Sequence, residues 1–76
     1  MKTYVITYNT EDAGLAAIFG ATTDLDKAKE ICLNNRDRLD NTDWYQIDEY
    51  DGTKRTEIGC YNPQYSFTAS NYQFGF

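Results

Sequence analysis

The chain of 76 residues has no histidine, one proline, two cysteines and five scattered glycines. Each scarcity removes a class of chemistry. Without histidine, the side chain that most often serves as general base and as metal ligand near neutral pH is missing. Two cysteines, Cys32 and Cys60, are too few for a disulfide framework, and far short of the four Cys or His ligands that structural zinc prefers. A thiol nucleophile at either position has no imidazole to activate it. Gly14, Gly20, Gly52, Gly59 and Gly75 stand singly, so no phosphate-cradling glycine loop exists. The acidic stretch Asp48-Glu-Tyr-Asp-Gly52 has the wrong spacing for a calcium loop. Carboxylate pairs such as Asp48 with Asp51 remain for acid–base work, but nothing in the sequence points to a pocket that would set their pKa values apart. The reading is a protein that is not an enzyme and carries no cofactor and no metal.

There is also no run of 18 apolar residues, and the N-terminal MKTYVITYNTEDAG has no apolar core of the signal-peptide kind. The expectation is a soluble cytoplasmic protein without a membrane partner, whose two thiols are buried and reduced.

What is present is divided unevenly. Residues Tyr61 to Phe76 (YNPQYSFTASNYQFGF) hold six of the twelve aromatic side chains and no Lys, Arg, Asp or Glu. Upstream, five carboxylates between Asp40 and Asp51 have no Lys or Arg among them. The net charge is −5. A field of that sign disfavours direct binding to DNA or RNA and favours a basic partner surface, although it equally suits plain solubility. A chain this short folds as one domain, 1–76, with 62–76 as an aromatic C-terminal segment. Aromatics compensate for a small core, since each removes about 150–250 Å² from water.

Lys2 to Asn9 alternates, with Tyr4, Ile6 and Tyr8 facing one way and Thr3, Val5 and Thr7 the other, which predicts a strand. A turn follows at Asn9 to Gly14, then a second strand over Leu15 to Ala21. Thr23 or Asp24 caps a helix whose stripe is Leu25, Ala28, Cys32 and Leu39, predicted to stop near Leu39 to Asn41. Asp43 to Asp51 reads as a third strand, with Tyr45 and Ile47 on one face and Trp44, Gln46, Asp48 and Tyr50 on the other. Asp51-Gly52 is a hairpin signal. Lys54 to Tyr61 is the fourth strand, with Thr56, Ile58 and Cys60 inward and Arg55, Glu57 and Tyr61 outward, and a fifth strand is expected beyond Pro63. The predicted fold is α+β: one antiparallel sheet of four to five strands with one helix on one face, in the order β-β-α-β-β-β.

Two features have more than one reading. The acidic segment is a solvated strand edge in the first, where Asp40 and Asp43 cap and turn and Asp48, Glu49 and Asp51 point outward against edge pairing. In the second it is an electrostatic decoy: Asp43, Asp48, Glu49 and Asp51 occupy Arg/Lys pockets that normally grip phosphates, with Trp44 and Tyr50 as apolar anchors. The aromatic end either completes its own sheet, the expected fate of Tyr65 and Phe67, or supplies contacts through Tyr72, Phe74 and Phe76 to a second copy or another protein.

The layout KTYVITYN, then ATTDLDKAKEICLNN, then YQIDEYDG, resembles small acidic proteins encoded by phages and mobile elements, among them anti-CRISPR proteins. The resemblance spans Lys2 to Gly52 and consists of layout, size and charge. It implies a stoichiometric inhibitor in the host-cell cytoplasm that binds a CRISPR-type nucleoprotein effector and blocks nucleic-acid loading or cleavage. A small assembly subunit that self-associates through its aromatic C-terminal segment is the alternative.

Overall fold

The computed structural model describes residues 1–10, 17–39 and 43–62. Among them run β1 (Lys2–Thr10), β2 (Ala17–Thr22), α1 (Leu25–Asn34), a single 3-10 turn (Arg36–Arg38), β3 (Asp43–Asp51) and β4 (Lys54–Tyr61). The four strands form one sheet in the order β2-β1-β3-β4, with every neighbouring pair antiparallel. The architecture is the predicted α+β sheet with one helix. The fifth strand expected beyond Pro63 lies outside the described residues.

Alternation in β1 sets the layers. Tyr4 and Ile6 are buried and lie opposite Glu49 and Ile47 of β3, while Tyr8 lies opposite Tyr45. These side chains face α1, which buries Ala28 and Cys32 against β1 and β2. Tyr45, Ile6, Ile47 and Cys32 are the largest fully buried side chains of this layer. Tyr8 meets the Tyr45 ring edge-on with centroids 5.8 Å apart, and Phe19 packs at 4.9 Å, so three aromatic rings close the core beneath the helix. Because β2 and β3 flank β1 on opposite sides and run parallel to each other, α1 must cross over β1 to join them. That crossover holds the helix on the sheet.

Asp24 caps α1: its Oδ1 accepts from the Asp26 amide at 2.9 Å and more weakly from Lys27 at 3.4 Å. The helix ends earlier than its apolar stripe suggests. Asn35 leaves helical geometry at φ −116°, and its Nδ2 donates to the Ile31 carbonyl at 2.8 Å. A local side-chain donor thus satisfies one of the carbonyls that a longer helix would have bonded. The 3-10 turn follows, and Leu39 reaches the core from extended backbone.

Two bulges shift the register. In β2, Gly20 pairs with Ile6 and Ile18 with Thr7, leaving Phe19 as the extra residue, turned into the core. In β4, Gly59 pairs with Ile47 and Glu57 with Asp48, leaving Ile58 extra. The second bulge corrects the predicted facing of β4. Tyr61, expected outward, belongs to the core, while Thr56, ahead of the bulge and opposite Glu49, keeps the predicted face but is exposed. Cys60 is buried, but on the face away from α1, opposite Gln46. Between β3 and β4 the loop is Gly52-Thr53, with Gly52 at φ 63° and no positive φ at Thr53. That is the backbone pattern of a type II′ hairpin, which needs glycine at its first loop position.

Candidate functional site

β3 carries the sequence-predicted contact residues, and it is an interior strand between β1 and β4, so the solvated-edge picture is corrected. Successive side chains alternate across the sheet. Asp43, Glu49 and Asp51 therefore share the face of Tyr45 and Ile47, while Asp48 lies with Trp44 and Tyr50 on the other. The strand does not present its four acids as one surface.

Burial separates them further. Asp43 is 5% exposed; it accepts a hydrogen bond from the Tyr8 hydroxyl through its carboxylate and one from Asn62 Nδ2 through its backbone carbonyl. Asp43 thereby ties β1, β3 and the end of β4 together. Asp48 is also 5% exposed, yet it is fully engaged: Gln46 Nε2 donates at 3.0 Å, and Arg55 Nη2 reaches both carboxylate oxygens at 3.3 Å. Arg55 is shared with Glu57 at 3.2 Å, and the charge of Asp48 beside it raises its pKa. Every buried side-chain nitrogen and oxygen among the described residues has a partner.

The remaining residues gather near the hairpin. Glu49 is partly exposed and meets Lys2 at 3.7 Å. Asp51 is exposed and lies in register with Lys2 on one side and Lys54 on the other. Tyr50 is half-buried between them on the opposite face, in register with Thr3 and Arg55. Trp44, also half-buried, sits six residues away, about 20 Å along the strand. Tyr72, Phe74 and Phe76 lie outside the described residues.

Neither thiol is set up as a nucleophile. Burial pushes Cys32 up to about 12 and Cys60 up to about 11, so both stay protonated at neutral pH. Both are free and buried. Among the described residues no three His, Cys, Asp or Glu side chains gather as metal ligands, and no helix is long and apolar enough to cross a membrane.

No sequence signal marked the Tyr8–Asp43 lock or the Asp48–Arg55 pair. The first joins strands whose adjacency is a property of topology; in the second, Arg55 reaches diagonally across the hairpin, since it pairs with Tyr50 while Asp48 pairs with Glu57.

No protein-family model, curated protein or solved structure matches this chain.

Proposed function

We propose that the protein is a non-enzymatic binding inhibitor, of the anti-CRISPR-like kind, which meets a basic protein surface at its β3–β4 hairpin. Glu49 and Asp51 supply the charge on one face of the hairpin, and Tyr50, on its opposite face, supplies the apolar contact to a partner that grips both faces. The observation that supports this reading is the division within β3: Asp43 and Asp48 are buried and partnered, whereas Asp51 is exposed and Glu49 partly so.

The lysines beside these acids do not block the role. The Lys2–Glu49 contact is long, at 3.7 Å, and Lys2 is exposed, so a stronger cationic partner has to displace only a weak ion pair and the contact of Glu49 with the Tyr4 hydroxyl. A planar Arg of a nucleic-acid-binding groove, able to bond a carboxylate through two nitrogens, is such a partner. The chain's −5 charge steers the encounter with a basic groove.

Cleavage of target DNA by a panel of RNA-guided nucleases, with and without the chain in excess, tests the proposal. Loss of cleavage in one system, restored by the double substitution Glu49→Gln/Asp51→Asn, is the expected outcome. Full cleavage across the panel removes the anti-CRISPR assignment. Inhibition that survives the double substitution removes the hairpin acids from it.

A further inference from the structure

Among the described residues, the two outer strands of the sheet are protected very differently. β4 carries Lys54, Arg55 and Glu57, all exposed, and charged side chains on an edge discourage pairing with another chain. β2 reads AIFGAT, with no charge and no proline. Its Ala17, Ile18 and Ala21 are exposed, and Ile18, at 77%, is together with Met1 one of the two exposed large apolar residues among those described. No described strand pairs with the outer side of β2.

We propose that β2 is a self-association edge, on which the β2 of a second copy pairs antiparallel to join two four-stranded sheets into one. The bulge supplies the argument for a second copy. By making Phe19 the extra residue, it puts Ile18 and Ala21 on the same face, opposite Thr7 and Val5 respectively. A two-fold axis between Phe19 and Gly20 then sets Ile18 of each copy opposite Ala21 of the other, so the exposed apolar side chains meet in two identical rows. A bulge also increases local twist, which makes an edge a poor template for a regular strand. Pairing at this edge therefore rests on the matched Ile18–Ala21 contacts on either side of the bulge. With no charge on β2, no like charges face each other across the axis, and the repulsion between two copies of −5 acts only from a distance.

Salt should therefore strengthen this contact, opposite to its effect on an acidic chain bound to a basic partner. The pairing is independent of the inhibitor reading and can stand or fall without it.

Sedimentation velocity of the full chain over a range of concentrations, at low and high salt, reads the outcome. The mass is expected to double with concentration, more readily at high salt. Ile18→Lys and Ala21→Glu should each give a monomer with unchanged circular dichroism, because both side chains are exposed. An equimolar mixture of those two variants should recover the dimer, since one row then pairs Lys with Glu and the other keeps Ile18 against Ala21. Thr56→Lys on the opposite edge makes the same charge change as Ile18→Lys and should dimerise like the parent. A parent chain that stays monomeric throughout, an Ile18→Lys variant that dimerises as the parent does, or a mixture that stays monomeric would each overturn the proposal.

Discussion

Burial turns Asp43 and Asp48 from surface charges into parts of the frame. Asp43 receives the Tyr8 hydroxyl, and Asp48 receives Gln46 and Arg55, so truncating either removes the buried acceptor of part-buried hydrogen bonds. Asp48→Ala is expected to cost about 1–3 kcal/mol in urea unfolding, while Glu49→Gln stays within about 0.5 kcal/mol. The thiols add a pH signature. Cys32 and Cys60 are raised by burial from the ordinary 9.0 to about 12 and about 11, so above pH 9 the unfolded chain gives up protons that the folded chain retains. Stability is then complete below pH 9 and falls as pH rises toward 11 and 12. Unfolding midpoints in urea measured from pH 7 upward should show that decline, and a Cys32→Val/Cys60→Val variant should show less of it. The tyrosines reinforce the trend at higher pH, since burial also raises Tyr4 and Tyr45.

At the level of elements, period-two alternation was sufficient to place β1 and the two faces of β3, because Tyr4, Ile6, Tyr45 and Ile47 have no other face on which to be buried. The N-cap was legible to within Thr23 or Asp24, of which Asp24 caps, and the hairpin at Asp51-Gly52, of which only Gly52 takes a positive φ. The helix end was not, because Asn35 Nδ2 takes over the Ile31 carbonyl and competes with continued helix in a way an apolar stripe does not encode. Nor was the facing of β4: inserting Ile58 as one extra residue swaps every later side chain to the other face. The interior position of β3 was hidden for a third reason. A β-α-β connection can place its second strand on either side of the first strand, and the packing of α1 over β1 decides. Two substitutions test the elements. Gly52→Ala should cost about 1–2 kcal/mol through its positive φ, since nothing lies within 4 Å of an added Cβ and sterics with neighbours play no part. Ile47→Ala, at the fully buried centre of the sheet, should cost about 2–5 kcal/mol. Thermal or urea unfolding distinguishes both from neutral changes.

For the molecule as a whole, the decoy surface read from the sequence is reduced to its exposed part. Of its four acids, Asp51 is exposed and Glu49 partly so; Tyr50 lies on the opposite face of the hairpin, and Trp44 stands far along the strand. The described residues carry nine acids against seven bases; Glu11, Asp12 and Asp40, outside them, bring the total to −5. A binding mode driven by this field predicts an affinity for a basic effector that falls steeply as ionic strength shortens the Debye length from about 10 Å at 0.1 M to about 3 Å at 1 M. The most direct measurement is that affinity as a function of salt, for the parent chain and for Glu49→Gln/Asp51→Asn, against the RNA-guided nuclease whose cleavage the proposal expects the chain to block. Weaker binding and a shallower salt dependence are expected for the double variant, with unfolding unchanged. Equal affinities and equal slopes for the two proteins would contradict it.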